Sequence, residues 1–346
     1  MKKFYFRYMI LVTGGTGLVG SHLLYYLTQT NDNITAIYRN DTKRDYVKKI
    51  FGYYTNNIES LFNKIKWIKA DLTDVPALEK AFDKVSIVYH CAANISFNPK
   101  DYQKAKETNH IGTANIVNLC LAYNISKLCH ISSIATLDEP KKGLINESAE
   151  WSPEKNKHNI YAITKYNAEL EVWRGSQEGL NTVIINPGLI IGPGFWNSGS
   201  GKIFKMIHKG FNYYTKGSIG VIDINDLIKS IIFLTNSQIS NKRFILVSDN
   251  INYQKLISSI SINLGIKKSS KEVSEKLIYY YYLFDKLKSS IGISKRQVFK
   301  PNTATLFKKL EYNNSKIKNT VDFHFRSFNE SILKTTQLFL KDFTKE

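Results

Sequence analysis

The sequence predicts an α/β protein: a doubly wound parallel sheet followed by a smaller, irregular C-terminal lobe. Three observations support this fold class. Short apolar runs alternate six times with segments of helical periodicity. The first apolar run leads directly into a glycine-rich turn. The alternation stops after Asn186–Gly188, so we expect a nucleotide-binding unit over residues 1–188 and a partly interleaved substrate lobe over residues 189–346.

The glycine-rich turn, Val12–Gly20, separates the apolar run Met9–Val12 from the periodic segment Leu18–Leu27. Its glycines at 14, 17 and 20 would permit the turn, the approach of a pyrophosphate and close packing of helix on strand, respectively. The N–H groups at the start of the helix would face the phosphates. A glycine turn without a ligand is the alternative. The expected contacts are Gly14, Thr16, Gly17, Leu18, Val19 and Gly20.

The next strands and helices follow from apolar periodicity. Strands are expected at 33–38, 65–69, 85–90, 128–131, 182–185, 219–223 and 243–247, with the last two in the C-terminal lobe. Helices are expected at 45–63, 101–123 and 160–178, and residues 192–201 are expected to form a long flexible loop.

Residues that follow the predicted strands complete the expected cofactor site. Arg39 closes the second strand, where an acid would bind a ribose 2′-hydroxyl and an arginine would pair with a 2′-phosphate. This favours NADP(H), with NAD(H) or a merely solvated basic turn as alternatives. Asp71 and Leu72 are expected near the adenine, although Asp71 could equally cap a helix. The small Ala92 and Ala93 would let the chain pass close to the ribose.

Length and composition indicate a folded protein with no membrane span. The chain has 346 residues, 43% of them hydrophobic, and no apolar run reaches the roughly 18 to 20 residues that cross a bilayer. Arg7 interrupts the signal-like start, so we expect nothing removable before the fold. Met9 is an alternative start, with residues 1–8 as a dispensable leader.

Charge and cysteine content restrict the partners. The net charge of +19 is spread along the chain, and a compositional bias of the genome explains it as well as a polyanion does. Without a recognised binding motif, we expect no nucleic-acid partner. Cys91, Cys120 and Cys129 form neither a metal-ligand spacing nor an even-numbered disulfide framework. We therefore expect no metal site and a reduced, cytoplasmic protein, with a homodimer as an open alternative.

A candidate acid/base lies on the third predicted long helix. Tyr161 and Lys165 are four residues apart and so share one face. A tyrosine has a pKa of about 10, and a nearby cation would lower it and make proton exchange practicable. Chance pairs of this spacing are common among 21 tyrosines, so the context matters: Ser133 follows a predicted strand upstream, and the glycine turn precedes both.

Thr13–Gly20, Ser133 and Tyr161/Lys165 together resemble the extended short-chain dehydrogenase/reductase family, and Ile131–Ala135 is most similar to its dihydroflavonol-reductase and 3β-hydroxysteroid-dehydrogenase branches. The resemblance implies a Rossmann-type fold and roles for matching positions. These are Tyr161 as acid/base, Lys165 as its modulator and ribose ligand, Ser133 as hydrogen-bond partner of the reacting oxygen, Asn109 as support of the lysine through water, Pro187 at the cofactor and Asp226 as a structural residue.

Two departures argue against a nucleotide-sugar substrate. Epimerases and dehydratases of the family usually continue the serine segment with Val-Tyr-Gly, where this chain has Ala135–Asp138, and they tend to have arginine at the position of Asn186. An apolar or ring-bearing carbonyl compound is expected instead. Phe195, Trp196, Tyr213 and Tyr214 would line its site, although an aromatic core would look the same.

The sequence thus favours an NADP(H)-dependent oxidoreductase that interconverts a ketone or aldehyde with an alcohol. Two alternatives remain: a nucleotide-sugar epimerase or dehydratase with tightly held NAD, and a non-enzymatic nucleotide-sensing or RNA-binding relative. The apolar and aromatic run Leu277–Phe284 is too short to span a membrane. We expect it to be core, with a lid or a peripheral membrane contact as the alternatives.

Overall fold

A computed structural model describes residues 9–266, 270–290 and 306–343. Its strands are β1 (Ile10–Thr13), β2 (Ile34–Tyr38), β3 (Ile65–Lys69), β4 (Ile87–His90), β5 (Lys127–Ile131), β6 (Thr182–Pro187), β7 (Leu189–Ile191), β8 (Tyr213–Tyr214), β9 (Ser218–Asp223), β10 (Lys242–Leu246), β11 (Asp249–Asn252) and β12 (Lys271–Glu272). Seven of them form one parallel sheet in the order β10-β6-β5-β4-β1-β2-β3. The predicted fold class, a Rossmann-type doubly wound sheet, is confirmed.

Helices cover the sheet and build the C-terminal unit. They are α1 (Leu18–Thr28), α2 (Asp41–Phe51), α3 (Ile58–Phe62), α4 (Val75–Phe82), α5 (Tyr102–Lys106), α6 (Gly112–Ala122), α7 (Pro153–Asn156), α8 (Ile160–Gln177), α9 (Gly199–His208), α10 (Ile224–Asn236), α11 (Tyr253–Asn263), α12 (Glu275–Ser290), α13 (Ser315–Lys318) and α14 (Phe328–Phe343). A short π-helix, Glu107–Ile111, joins α5 to α6.

Two apolar layers hold these helices to opposite faces of the sheet. One layer contains Leu23 of α1 and Leu227 of α10, and the other contains Leu78 of α4 and Val172 of α8. The chain changes direction across the sheet between β1 and β4, which opens a crevice at the carboxyl ends of the strands. The residues expected to bind the cofactor follow those ends.

A second core lies in the C-terminal unit. The small sheet β11-β9-β7 packs with α9, α11 and α14 around buried side chains that include Trp196, Phe204 and Phe339. The strands β8 and β12 form a separate parallel pair.

The structure corrects three predictions of local structure. The helix expected at 45–63 is two helices, because the chain turns after Gly52 and restarts at Asn57. The loop expected at 192–201 is neither long nor exposed throughout, since α9 begins at Gly199 and Trp196 is buried. The strand expected at 243–247 belongs to the main sheet, where β10 pairs with β6. The division of the chain into two units at residue 188 stays a prediction. The strand β10 lies after residue 188 but belongs to the main sheet, most of whose strands come before it.

The aromatic run Leu277–Phe284 is not core, contrary to expectation. It forms the middle of α12, and Tyr280 is 65% exposed. No helix among the described residues is long and apolar enough to cross a membrane. The three cysteines are free thiols, as expected. The proposed leader, residues 1–8, lies outside the described residues.

Candidate active site

The glycine turn after β1 has the shape that a dinucleotide requires. Gly14 has a φ of +66°, and a Cβ there would lie 2.6 Å from the backbone of Ala92. A Cβ at Gly20 would lie 2.2 Å from the carbonyl oxygen of Gly14, so the helix can approach the turn only without a side chain. These contacts explain two of the three predicted glycines by packing alone.

The third glycine leaves an anion site open. Gly17 is the N-cap of α1, no side chain caps the helix, and its first turn carries no acid. A Cβ at Gly17 would meet only the carbonyl oxygen of Gly14, at 3.4 Å. The first-turn N–H groups and the positive end of the helix dipole therefore suit a phosphate. Thr16, Leu18 and Val19 lie partly exposed around this turn, so the residues present fit a dinucleotide.

Arg39 and Asp71 meet at the ends of two neighbouring strands. Their side chains form an ion pair of 3.1 Å and are 53% and 42% exposed. Burial acts to raise the pKa of Asp71, but hydrogen bonds from Thr73 and Arg39 outweigh it and hold that pKa below its usual value. The Arg39 guanidinium is thus oriented by a carboxylate while it remains open to an anion.

The remaining predicted cofactor residues differ in accessibility. Leu72 is buried, and its carbonyl oxygen accepts a hydrogen bond from Asn115. Pro187 is buried at the end of β6. Ala92 is partly exposed and Ala93 is exposed, beside the glycine turn and after β4. Side-chain contact with a cofactor is therefore open to the alanines, whereas Leu72 contributes chiefly to the core.

The structure brings Tyr161 and Ser133 together. Ser133 follows β5 and caps a short 3₁₀-helix, where its Oγ accepts a hydrogen bond from the N–H of Ala135 at 3.1 Å. Its side chain also forms a hydrogen bond with the Tyr161 hydroxyl. Burial raises the pKa of Tyr161, and the hydrogen bond with Ser133 acts in the opposite direction. The expectation that Lys165 leaves this pKa lowered is wrong for this structure.

Lys165 is held behind the tyrosine rather than against it. Its ammonium donates to the carbonyl oxygen of Ile131 at 2.7 Å and lies 3.4 Å from Nε2 of His130. The side chain is only 1% exposed, and burial lowers the pKa of Lys165 to about 8. The buried charge of Glu169 acts against this shift.

Asn109 fastens the loop after β4 to α8. Its amide donates to the carbonyl oxygen of Asn94 and to Oγ1 of Thr164, both at 3.0 Å, and its Oδ1 accepts from the N–H of Asn94 at 2.7 Å. These bonds run to the neighbour of Lys165 and not to the lysine itself. Asn109 can be placed there because the π-helix shifts the register of the chain around it.

Sequence reasoning missed a buried carboxylate behind Ser133. Glu169 is 1% exposed and accepts hydrogen bonds from Ser132, Thr136 and Asn186, at 2.5, 2.7 and 2.6 Å. Arg243, at the edge strand β10, completes the group with an ion pair of 3.1 Å. The available signal was the spacing: Glu169 follows Lys165 by four residues and so shares its helical face.

This group also fixes the backbone that carries Ser133. The carbonyl oxygen of Ser133 accepts hydrogen bonds from Nδ2 of Asn186 at 3.0 Å and from Oγ1 of Thr136 at 2.9 Å. Asn186 therefore does not reach towards a substrate. It connects the carbonyl oxygen of Ser133 to the carboxylate of Glu169, and the guanidinium of Arg243 pairs with that carboxylate.

The aromatic residues predicted to line the substrate site lie in different places. Trp196 is 6% exposed and donates to Asp342, so it belongs to the C-terminal core. Phe195 contacts the ring of Tyr46, and Tyr213 contacts that of Phe211. The ring that does meet Tyr161 is Phe97, at 5.6 Å between centroids; the sequence analysis missed it.

Asp226 has the structural role that the sequence predicted. It is 1% exposed at the start of α10, and its Oδ2 accepts a hydrogen bond from the N–H of Arg326 at 2.6 Å. Burial raises the pKa of its carboxyl group. The contact anchors the C-terminal segment to α10, which packs on the main sheet.

Comparisons with known proteins agree with this geometry. The NAD dependent epimerase/dehydratase family matches residues 10–223. A putative dihydroflavonol 4-reductase of Synechocystis is 26% identical over 263 residues, which are 74% of this chain and 72% of the relative. The dTDP-D-glucose 4,6-dehydratase of Dictyostelium discoideum is 30% identical over 173 residues, 46% of this chain and 38% of the relative. The crystal structure of gox2253 superposes with a TM-score of 0.79 at 23% identity, covering 96% of this chain and 98% of that one.

Proposed function

This chain belongs to the NAD dependent epimerase/dehydratase family, and we propose that it is an NADP(H)-dependent reductase or dehydrogenase acting on a ketone or aldehyde and the corresponding alcohol. The predicted resemblance to extended short-chain dehydrogenases/reductases is confirmed, and with it an enzyme that uses a nicotinamide dinucleotide. The single observation that supports the proposed reaction is the hydroxyl pair Ser133–Tyr161, with Ser133 following β5 at the same carboxyl edge of the sheet as the glycine turn.

The proposed cofactor is held by this chain's own groups. The first turn of α1 would hold the pyrophosphate, Arg39 would pair with a ribose 2′-phosphate, and Ala92 and Ala93 would allow the close approach of the ribose. Lys165 is assigned to the nicotinamide ribose on the family resemblance alone. When bound, the nicotinamide supplies or accepts the hydride.

We assign proton transfer to Tyr161, and stabilisation of the negative charge that develops on the reacting oxygen to Ser133. In reduction, the Tyr161 hydroxyl donates its proton to the carbonyl oxygen of the substrate, and in oxidation it takes that proton back. Ser133 donates a hydrogen bond to the same oxygen and stabilises the charge that develops on it. Because burial raises the pKa of Tyr161, the residue enters the reductive direction protonated, as this role requires.

The preference for NADP(H) depends on Arg39. It stands at the end of β2 with an exposed guanidinium, and Lys43 and Arg44 follow on α2. A 2′-phosphate adds a negative charge to a site that already holds cations, whereas a free 2′-hydroxyl meets no carboxylate at position 39. Phe97 beside Tyr161 supplies apolar surface for the substrate. A cytoplasmic location and a homodimer stay predictions.

A panel of apolar and aromatic carbonyl compounds tests the proposal, with nicotinamide absorbance as the readout. We expect turnover with NADPH, weaker activity with NADH, and a loss of NADPH affinity in Arg39→Ala that leaves NADH binding nearly unchanged. Lys66→Ala, a neighbouring strand cation that is not assigned to the cofactor, is the matched control. Equal affinity of the unmodified protein for both cofactors would contradict the NADP(H) assignment.

A second function is favoured by one comparison. The dehydratase of Dictyostelium discoideum shares 30% identity with this chain, so a nucleotide-sugar epimerase or dehydratase is the competing proposal. Such an enzyme regenerates its cofactor in every cycle and has no need to release it. Cofactor that stays bound through gel filtration, with turnover of a nucleotide sugar and no added nucleotide, would support this alternative over ours.

A further inference from the structure

The helix α12 has its apolar side chains on the outside. Seven large apolar residues of one helix are 40–65% exposed: Leu277, Tyr279, Tyr280, Tyr281, Leu283, Phe284 and Leu287. Exposed single apolar residues are ordinary, but a contiguous patch of this kind marks an interaction surface.

Only a narrow strip of α12 packs against the rest of the protein. Ile278, Tyr282, Asp285 and Ser289 are the less exposed positions, and their spacing of four, three and four residues places them on one face. Asp285 is 6% exposed. The packed side thus combines Ile278 and Tyr282 with an acid and a serine, while three tyrosines and three leucines point outwards, which is more apolar surface in water than an ordinary surface helix leaves.

Charge decides between the surfaces that could cover this face. The helix carries Lys276, Lys286 and Lys288 against two acids, the exposed Glu275 at its first position and the buried Asp285. Lys288 lies over the ring of Phe284, 4.5 Å from its centroid, so cation and apolar surface share one face. A second copy would bring lysines against lysines, whereas anionic headgroups would neutralise them.

The side-chain types suit a lipid interface. Tyrosine rings combine an apolar body with a hydroxyl that prefers water, and such residues concentrate at the boundary of a bilayer. Lysine stems can lie along acyl chains while the ammonium groups reach the headgroups. The helix is too short to span, but a helix with these features lies in the plane of the interface.

We propose that α12 is a peripheral membrane anchor, which binds the protein to bilayers that contain anionic lipid. The proposal depends only on α12 and is independent of the reaction assigned to Tyr161. It adds a location to the enzyme: attached reversibly to a membrane surface through Tyr280, Leu287 and their exposed neighbours.

Vesicle flotation of the full chain tests the anchor. We expect binding to phosphatidylcholine vesicles with about 30% phosphatidylserine, and binding weaker by roughly tenfold or more to phosphatidylcholine alone. Tyr280→Ser/Leu287→Ser should lose at least about tenfold in affinity for the anionic vesicles. Tyr123→Ser/Leu144→Ser, which alters an exposed tyrosine and leucine of the N-terminal unit, is the matched control and should bind normally.

Two further measurements separate the anchor from its rivals. Lys276→Gln/Lys288→Gln should weaken binding to the anionic vesicles and reduce its salt dependence. The thermal midpoint of each variant should stay close to that of the parent, because these side chains are exposed or, for Lys288, partly exposed at the surface. Equal flotation of the parent and Tyr280→Ser/Leu287→Ser would overturn the proposal. So would a change of sedimentation coefficient in that variant with vesicle binding intact, which would indicate a contact between copies.

Discussion

The helices α8 and α12 depart from ordinary burial in opposite directions. Helix α8 buries Lys165 and Glu169, each 1% exposed. Helix α12 exposes Tyr280 and Leu287 to 65% and 59%. Charged groups are almost never fully buried without partners, and large apolar residues are seldom left together in water. Burying charges in α8 and exposing apolar side chains in α12 both raise the free energy of the folded state. The packing of the fold alone does not explain either arrangement.

The two helices differ in whether the chain itself supplies partners for these side chains. The buried charges of α8 are paired within the chain, by Arg243 and Asn186 on Glu169 and by Ile131 on Lys165. The exposed side chains of α12 meet no comparable surface in the described residues. Internal pairing indicates a network that the chain completes by itself, whereas an outward apolar face indicates a partner outside the chain. Three stability measurements test this difference between the two helices.

The largest effect is expected for Glu169→Ala. The substitution leaves Arg243, Asn186 and Ser132 without their buried acceptor, and breaking a buried ion pair in this way costs about 3–5 kcal/mol of unfolding free energy. Glu178→Ala at the C-cap of the same helix removes a half-exposed partner of Arg174 and should cost less than about 1 kcal/mol. Chemical denaturation measures both. Similar losses in the two variants would show that the buried group is not a structural unit.

A smaller effect is expected from the titration of Lys165. Its pKa is about 8 in the folded chain and near 10.5 when unfolded. Between these values the unfolded state binds the extra proton, so stability rises with pH through this window, by at most about 3 kcal/mol. Below pH 8 the lysine is charged in both states and the penalty of burying it is constant. Lys165→Met should lack this rise, and the unfolding free energies of the two proteins at pH 7.5 and 10 test it. A difference that stays constant with pH would contradict the buried placement.

The smallest effect is expected on α12. Tyr280→Ser/Tyr281→Ser removes two rings that are more than half exposed, so the unfolding free energy should change by less than about 0.5 kcal/mol. Phe204→Ala, which removes a ring with no exposure, should cost roughly 3–5 kcal/mol. Thermal melts compare them. A loss of several kcal/mol in the tyrosine variant would restore the core interpretation of this stretch.

The sheet and its glycine turn could be predicted because their signals are local. Apolar runs of four to six residues and the spacing of Gly14, Gly17 and Gly20 depend on neighbours in sequence, and β1 and α1 occur where these signals placed them. The joint role of Ser133 and Tyr161 is expected from the family resemblance, because Ser133 follows a strand and Tyr161 lies in a helix far along the sequence.

The remaining features depend on contacts between residues that are far apart in the sequence. Nothing near Arg243 in the sequence shows that β10 pairs with β6 and brings the guanidinium to Glu169. Trp196 and the run Leu277–Phe284 have similar apolar character, yet one is buried and the other exposed. Hydrophobicity gives the tendency to be buried, but the surrounding fold decides whether a covering surface exists.

The central claim is that the Tyr161 hydroxyl, paired with Ser133, transfers the proton of the reaction. Tyr161→Phe tests it most directly, because the ring and its contact with Phe97 stay while the phenolic proton is removed. The measurement is steady-state turnover of a substrate found in the carbonyl panel, with NADPH affinity titrated separately by fluorescence. We predict unchanged NADPH affinity and a turnover lower by roughly 10² to 10⁴. A variant that binds NADPH normally and turns over at the parent rate would contradict the account.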